Sequence, residues 1–180
     1  IRNEGIYSLE KGRTHYTSNA GLKELRLAVA SYLNRRFGLK YDGLSQVLIT
    51  VGGSEAIDLF LRTVLNPGDE VLIPEPSFVC YKPITALAGG VPVTIKTKAE
   101  NKFKLTPEEL KNAITPKTKV LVLPYPSNPT GGIMEKEDLL ALIPIIKEAN
   151  LMVISDEIYG ELTYGKKHVS IASLEGMAER

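Results

Sequence analysis

The sequence predicts an α/β fold of three layers, in which a mostly parallel β-sheet lies between two layers of helices. Short apolar runs rich in β-branched residues alternate five times with helical patterns, which is typical of a parallel sheet with helical crossovers. Turn-forming residues separate these segments. With 180 residues, the chain is long enough for one domain of this kind, or for a large part of a longer protein.

The N-terminal part of the chain contains one clear helical pattern and one strand pattern. Residues 1–19 are polar without a period, so we expect them to be irregular. Apolar residues then recur at helical spacing over residues 22–37, and Gly38 is a stop signal. Residues 47–51 are apolar and β-branched, which predicts the first buried strand of the sheet.

The remainder of the chain alternates between helices and strands. Helices are predicted over residues 54–65, 79–88, 107–114 and 136–149. Strands are predicted over residues 70–73, 91–95, 120–123 and 151–155. The helix at 107–114 has the best-defined start, because Thr106 is a favourable N-cap residue and proline is favoured at the first helical position.

Composition excludes several classes of protein. Lys and Arg number 22 and Asp and Glu 21, a net charge of +1, whereas nucleic-acid-binding proteins usually carry a basic excess. No apolar run approaches the roughly 20 residues of a membrane-spanning helix. Cys80 is the single cysteine, so no internal disulfide forms and a reducing, cytoplasmic location is expected. Two histidines leave little for a His-based metal site, so we expect no metal. For the reasons given above, we also expect no nucleic-acid partner and no membrane partner.

Ligands of parallel α/β sheets bind beyond the carboxyl ends of the strands, so the loops that follow strands carry the functional signal. The first such loop contains Gly52, Gly53 and Ser54. Glycines allow a ligand to approach the backbone, and the helix N-terminus that Ser54 could cap attracts phosphate. An ordinary turn with a serine cap explains the same residues. The loop lacks the Walker A and dinucleotide-binding patterns.

Two further loops offer an aromatic ring and an amide. Phe78 follows the second predicted strand, where its ring could stack on a flat ligand or pack in the core. Asn128 lies within residues 125–132, where two prolines and two glycines constrain the backbone more than in an ordinary surface loop. Its side chain supplies both donor and acceptor groups.

The last of these loops places an acid and a tyrosine after the final predicted strand. Asp156 follows a buried strand, where a carboxylate is costly unless a cation meets it. Tyr159 is three residues further on, so both side chains can face the same side of one turn. A helix-capping aspartate with a packing tyrosine is the alternative explanation.

Taken in order along the chain, these segments resemble the motifs of the class I and II aminotransferases, which are pyridoxal-phosphate enzymes of fold type I. The resemblance rests on Tyr16-Thr-Ser-Asn-Ala-Gly-Leu-Lys-Glu-Leu-Arg26, Gly-Gly-Ser-Glu-Ala-Ile, Pro-x-Phe, Ser-Asn-Pro-Thr-Gly and Ser-Asp-Glu-Ile-Tyr. It covers nearly the whole chain, and the joint order makes the pattern specific. In this family the bonds that match Glu75–Pro76 and Asn128–Pro129 are often cis, so we expect cis bonds here.

The resemblance implies how the phosphate of pyridoxal 5'-phosphate would be held. Gly53 and Ser54 match the turn that binds this phosphate, in agreement with the helix N-terminus identified above. Tyr16 matches a tyrosine that reaches the phosphate of the neighbouring subunit. A homodimer is therefore implied as well.

The same resemblance assigns four residues to the ring of the cofactor. Phe78 matches the aromatic residue that stacks on the pyridine ring. Asn128 and Tyr159 match the hydrogen-bond partners of the phenolic oxygen, and Asp156 matches the carboxylate that pairs with the ring nitrogen. A buried carboxylate raises the pKa of that nitrogen and keeps it protonated, which makes the ring a stronger electron sink.

The resemblance also implies that residues 1–180 are an incomplete large, cofactor-binding domain. The family's Schiff-base lysine lies in a Ser-x-Ser/Thr-Lys segment after the motif that ends at Tyr159, and no such segment occurs up to Arg180. We therefore expect no catalytic residue in this chain and no activity of the chain alone. The N-terminal arm, the C-terminal part of the large domain and the small domain are expected to be absent. In the family, two later strands complete the sheet between the first strand and the fifth, so the segment 47–51 should lack its neighbours.

The function implied for the parent protein is transfer of an amino group between an amino acid and a 2-oxo acid. A C–S lyase or a decarboxylase of the same fold and cofactor is one alternative, and the residues that would separate these reactions are not in this chain. A non-catalytic, ligand-sensing domain with an aminotransferase-like fold is another. Such regulators carry an upstream DNA-binding domain, which neither the polar N-terminus nor the net charge of +1 supports.

Overall fold

A computed structural model describes all 180 residues, and the chain divides into two compact units, Ile1–Thr50 and Val51–Arg180. The first unit contains two helices, α1 (Arg2–Glu10) and α2 (Lys23–Phe37). Helix α2 confirms the prediction for residues 22–37. Its C-cap residue is Gly38, which adopts the left-handed conformation (φ 73°) that glycine accepts without a steric cost.

Helix α1 contradicts the prediction that residues 1–19 are irregular. None of its residues is buried. A helix that buries no side chain needs no apolar stripe, so hydrophobic periodicity could not reveal it. The remaining residues up to the start of α2 contain turns and bends only.

The strand predicted at 47–51 is also wrong, because this segment has no strand beside it. A β-strand exists only where a neighbour accepts and donates its ladder hydrogen bonds. Here the carbonyl of Val47 accepts a hydrogen bond from Arg26 Nε at 2.7 Å, and the amide of Ile49 donates to the carbonyl of Ala20 at 3.1 Å. The expectation that this segment lacks its neighbours is thus confirmed.

The second unit is built on a parallel sheet of four strands. They are β1 (Glu70–Glu75), β2 (Val91–Lys96), β3 (Thr118–Leu123) and β4 (Met152–Ser155). Their spatial order is β2-β1-β3-β4. From β1 the chain adds β2 on one side, and then adds β3 and β4 on the other side. The topological switch point therefore lies between β1 and β3.

Four helices cover this sheet. They are α3 (Gly53–Val64), α4 (Tyr81–Leu87), α5 (Pro107–Ala113) and α6 (Lys136–Glu148). Two single 3₁₀ turns, Ala99–Asn101 and Ile171–Ser173, complete the regular structure. The four strands and four helices predicted after residue 52 are confirmed, with boundaries that shift by a few residues. No helix of the chain is both long enough and apolar enough to span a membrane.

The two faces of the sheet form separate hydrophobic cores, which confirms the three-layer α/β fold. On β1, Leu72 packs with α5 and α6, whereas Val71 and Ile73 pack with α3 and α4. The alternation follows from the period of two in a strand. Every one of these side chains is almost completely buried, so both faces of the sheet are covered, as parallel sheets require.

The start of α5 has the local structure that its sequence predicts. Thr106 is the N-cap residue, and its hydroxyl accepts a hydrogen bond from the amide of Glu109 at 3.3 Å. The Glu109 carboxylate in turn accepts from the amide of Thr106 at 2.9 Å. This reciprocal pair is a capping box, and Pro107 occupies the first turn.

Candidate active site

A cavity of about 310 Å³ lies beyond the carboxyl ends of β1, β3 and β4, at the topological switch point. It collects six of the seven residues selected from the sequence, together with five others. The lining residues are Gly53, Ser54, Ile57, Phe78, Tyr81, Pro124, Pro126, Asn128, Asp156, Ile158 and Tyr159. The position agrees with the rule that ligands of open α/β sheets bind where the strand order reverses.

The N-terminus of α3 forms one wall of the cavity. The helix begins at Gly53 and its N-cap residue is the extended Gly52. Ser54 therefore lies inside the first turn and is not the cap that the sequence made possible. The Ser54 hydroxyl acts on the neighbouring Cys80 thiol and lowers its pKa, against the larger effect of burial. The first amides of a helix, here those of Gly53 and Ser54, have no acceptor within it, so this wall offers N–H donors and the positive end of the helix dipole.

Two aromatic rings from the segment after β1 line the cavity. The Phe78 side chain is 41% exposed, so it is not the core phenylalanine that the alternative explanation required. Its ring centroid lies 6.2 Å from that of Tyr81 at an angle of 84°, an edge-to-face pair. Tyr81 is itself buried, so it gives the half-exposed ring of Phe78 a packing contact inside the protein.

The segment after β3 carries Asn128 on a constrained loop. The amide of Ser127 donates to the carbonyl of Gly132 at 2.9 Å, and the amide of Gly131 donates back to the carbonyl of Ser127 at 2.8 Å. Gly131 has a φ of 68°, which glycine adopts readily. The predicted cis bonds at Asn128–Pro129 and Glu75–Pro76 are confirmed, and Tyr125–Pro126 is also cis.

The turn after β4 presents Asp156 and Tyr159. The amide of Asp156 donates to the carbonyl of Leu123 at 3.1 Å, so this residue is tied to the end of β3. One carboxylate oxygen, Oδ1, accepts from the amide of Ile158 at 3.3 Å. The other, Oδ2, accepts from the Tyr81 hydroxyl at 2.7 Å. Asp156 is therefore held by three segments of the chain and is half-buried.

The pKa of Tyr81 shows which partner donates in the hydrogen bond between Tyr81 and Asp156. Burial, followed by the hydrogen bond to Asp156, raises the pKa of the Tyr81 hydroxyl far above its ordinary value. Tyr81 therefore remains protonated and acts only as a donor to the carboxylate. Burial likewise raises the pKa of the neighbouring Cys80 thiol, against the opposing effect of the Ser54 hydroxyl.

Tyr81 is the functional candidate that sequence reasoning missed, and Tyr16 is the candidate that the cavity does not include. Tyr81 lies three residues after Phe78, in the first turn of α4, and this spacing is the signal that could have pointed to it. Tyr16 belongs to the first unit, where its side chain is fully exposed.

A doubly wound parallel sheet with a largely apolar cavity at its switch point, into which a few polar side chains converge, is the architecture of a small-molecule-binding α/β protein. Comparison with known proteins gives the family. The model of the family described as aminotransferase class I and II matches residues 2–179. The chain belongs to this family.

Relatives and solved structures agree with that assignment. The chain is 46% identical to a putative aminotransferase of Bacillus subtilis, YugH, over 100% of this chain and 47% of the relative. It is 46% identical to aromatic-amino-acid aminotransferase 2 of Thermococcus litoralis, over 96% of this chain and 45% of the relative. The chain thus spans about half the length of these relatives.

Among solved structures, the aromatic aminotransferase from Pyrococcus horikoshii OT3 superimposes with a TM-score of 0.95 at 42% identity. The match covers 98% of this chain and 48% of that one. The aspartate aminotransferase of Thermus thermophilus with maleate gives a TM-score of 0.91 at 38% identity, over 96% of this chain and 45% of that one. The fold is therefore that of part of an aminotransferase.

Proposed function

We propose that the protein to which this chain belongs is a pyridoxal-phosphate-dependent aminotransferase, which moves an amino group between an amino acid and a 2-oxo acid. The observation that carries the proposal is the convergence of Gly53, Phe78, Asn128, Asp156 and Tyr159 on one cavity, although they lie far apart in the sequence. Relatives named aspartate and aromatic-amino-acid aminotransferases support it. Residues 1–180 then form part of the large, cofactor-binding domain.

The chemistry of the lining residues fits pyridoxal phosphate. This cofactor combines an anionic phosphate, a flat pyridine ring with a basic nitrogen, and a phenolic oxygen. The cavity offers the N-terminus of α3 for an anion, the half-exposed ring of Phe78 for a flat ring, and the carboxylate of Asp156 for a cationic nitrogen. A cavity of about 310 Å³ is within the range of small-cofactor sites.

Asp156 is the residue with the largest chemical effect in this proposal. Its carboxylate would hold a proton on the pyridine nitrogen, because a fixed negative charge favours the protonated form. Tyr81 orients that carboxylate through the 2.7 Å hydrogen bond without competing for its charge, since the hydroxyl stays protonated. When bound, the cofactor supplies an electron sink for the carbanion that forms when the amino acid loses its Cα proton.

Asn128 and Tyr159 would bind the phenolic oxygen from two different loops. The amide of Asn128 and the hydroxyl of Tyr159 are both donors, and both side chains line the cavity. Two donors on one oxygen stabilise its negative charge and so tune the reactivity of the adjacent carbonyl carbon. The constrained backbone around Asn128 keeps its donor in place without the entropy cost of ordering a loose loop.

Gly53 and Ser54 would bind the phosphate through the amides of the first turn of α3, and the Ser54 hydroxyl adds a further donor. We further propose that the protein is a homodimer in which Tyr16 reaches the phosphate bound to the neighbouring subunit. The full exposure of the Tyr16 side chain makes it available to a partner.

The residues that line the cavity include no lysine. In this proposal, an amine from elsewhere in the protein would bond to the cofactor and carry the Cα proton of the substrate. The same holds for the group that binds the substrate carboxylate. In this proposal, the chain binds the cofactor and sets the charge of its ring.

The test uses the protein expressed from its whole reading frame, with and without pyridoxal phosphate. We expect a visible absorbance band that shifts on addition of an amino acid, and formation of the corresponding 2-oxo acid in amounts that match amino-group transfer to an added 2-oxo acid. Release of ammonia, sulfide or carbon dioxide in place of that transfer would identify a lyase or a decarboxylase. Absence of cofactor binding would overturn the proposal.

A further inference from the structure

A half-buried carboxylate beside the cavity has no role in the function proposed above. Glu157 follows Asp156 directly, but only Asp156 lines the cavity. The Glu157 side chain is 20% exposed, and it accepts hydrogen bonds from Ser155, His168 and Ser170. We name Ser155, Glu157, His168 and Ser170 the Glu157 cluster.

Both oxygens of the Glu157 carboxylate accept hydrogen bonds within the Glu157 cluster. Oε1 accepts from the hydroxyls of Ser155 at 2.7 Å and Ser170 at 2.8 Å, and Oε2 lies 2.8 Å from Nε2 of His168. The side chain of His168 is 7% exposed, and Ser170 is 3% exposed. Buried partners of this kind favour one rotamer of the carboxylate, because another rotamer would break these hydrogen bonds inside the protein.

Glu157 is ionised in this environment. Burial alone would raise its pKa, but the hydrogen bonds from His168, Ser155 and Ser170 outweigh that effect and lower the pKa below its ordinary value. A charged acceptor forms stronger hydrogen bonds than a neutral one. The cluster is therefore a firm connection between the end of β4 and the segment 168–170.

The backbone of Glu157 belongs to the turn that carries both Asp156 and Tyr159. Its carbonyl accepts from the amide of Gly160 at 2.8 Å and closes that turn. The ring of His168 is seated against the same turn, since a Cβ added to Gly160 would lie 3.0 Å from His168 Cδ2. The turn is thus held by the Glu157 side chain and by direct packing of the histidine.

We propose that Glu157 is a positioning residue, which anchors the 155–160 turn to the 168–170 segment and so holds the Asp156 carboxylate and the Tyr159 hydroxyl toward the cavity. This inference rests on the proposed function, because it is the cofactor that Asp156 and Tyr159 serve. The two adjacent acids therefore have different roles. Asp156 lines the cavity, whereas Glu157 forms hydrogen bonds within the protein and fixes the direction of the Asp156 side chain.

The test compares Glu157→Ala and Ser170→Ala in the full-length protein by two measurements. The first is a crystal structure without added cofactor, which gives the distance from Asp156 Oδ2 to the Tyr81 hydroxyl. The second is a titration with pyridoxal phosphate, which gives its dissociation constant and the absorbance maximum of the bound form. Glu157→Gln, which keeps one acceptor oxygen and the side-chain length, is expected to rescue part of the change.

In Glu157→Ala we expect Asp156 to leave hydrogen-bond distance of Tyr81, the cofactor to bind about tenfold more weakly and its absorbance maximum to shift, as for loss of hydrogen bonds to a charged group. Ser170→Ala removes one donor and gives a smaller change of the same kind. It decides the question if Glu157→Ala does not fold. The matched control is Glu109→Ala, which breaks the capping box of α5 away from the cavity and leaves the cofactor spectrum unchanged.

Retention of both the Asp156–Tyr81 hydrogen bond and the wild-type cofactor spectrum in these variants would overturn the positioning role. An equal spectral change in Glu109→Ala would overturn it too, because a general loss of stability would then explain the result. If the wild-type protein binds no pyridoxal phosphate, the proposed function fails, and the crystal structures alone decide whether Glu157 positions Asp156.

Discussion

At the scale of single residues, the direction of a side chain separates two acids that the sequence presents as equivalent. Asp156 and Glu157 are neighbours, yet one lines the cavity and the other accepts three hydrogen bonds within the protein. The difference follows from the turn after β4, where successive side chains point in different directions. The roles of these two acids therefore lead to different predictions.

Removal of the Asp156 charge should abolish most of the transamination. In the full-length protein we expect Asp156→Ala and the shape-conserving Asp156→Asn to lower kcat by roughly 10³-fold, because both lose a fixed charge beside the reacting group. The measurement is 2-oxo acid formation under saturating pyridoxal phosphate. Tyr81→Phe keeps the charge and loses only the orienting hydrogen bond, so its kcat should fall much less. Near-normal turnover of Asp156→Asn would refute the role of the charge.

Glu157 should contribute stability that depends on pH. Its folded-state pKa is lowered, because hydrogen bonds from His168, Ser155 and Ser170 exceed the opposing effect of burial. A lowered pKa stabilises the folded state above the ordinary carboxyl pKa of about 4.3, and this contribution disappears as the pH falls through the folded-state value. The Tm difference between wild type and Glu157→Gln should thus be largest near neutral pH and shrink below a pH of about 4.

The control for this pH series is Glu100→Gln, since the Glu100 side chain is 71% exposed and its contact with Lys98 is a surface ion pair. Its Tm difference from wild type should remain small at every pH. A Glu157→Gln difference that persists at low pH would show that shape, and not charge, accounts for the stabilisation.

At the scale of elements, helix ends make local contributions that can be measured apart from the cavity. Thr106→Ala removes the hydroxyl that accepts from the amide of Glu109, and we expect it to lower the free energy of unfolding by about 1 kcal/mol. Thr106→Ser keeps the hydroxyl and should retain most of that stability. Denaturant unfolding followed by circular dichroism provides the measurement, and equal stability of the two variants would contradict the capping role.

The elements also show what the sequence reveals and what it cannot. Strands β1 to β4 were predictable, because both faces of a parallel sheet are buried and its strands are therefore continuous apolar runs. Residues 47–51 have the same apolar character, but a strand also needs a partner, and local composition contains no information about partners. Helix α1 escaped prediction for the opposite reason, since it buries no side chain and so has no pattern to detect.

The candidate site, like the strands and helices, could be predicted only in part. Loops that follow parallel strands meet at one edge of the sheet, so Phe78, Asn128 and Asp156 could be expected to lie together. Tyr81 was not expected, because its role arises from a contact with Asp156 across 75 positions of sequence. Contacts between distant residues depend on how helices pack on the sheet, and periodicity does not specify that packing.

At the scale of the whole molecule, every residue that lines the cavity belongs to the unit Val51–Arg180. Gly53, Phe78 and Asp156, which we propose bind the phosphate and the ring of the cofactor, belong to this unit, and no lysine lines the cavity. The chain also spans about half the length of its relatives. In the function proposed above, the residues that bind the cofactor and the amine that reacts with it are expected on different parts of the protein.

It follows that the 180-residue chain, supplied with pyridoxal phosphate, should not catalyse transamination, whereas the protein from the whole reading frame should. The measurement is 2-oxo acid formation from a panel of amino acids, with free pyridoxal phosphate as the background control. Sustained turnover above that background by the 180-residue chain would show that the reacting amine lies within it.

The cavity is assembled from the start of α3 and from the segments after β1, β3 and β4, so it exists only when these three strands and the helix are folded together. Any small molecule that occupies it must therefore favour the folded chain over the unfolded one, by an amount set by its concentration relative to its dissociation constant. Melting-temperature shifts with a panel of phosphorylated heterocycles would consequently rank ligands for this protein before any reaction has been assayed.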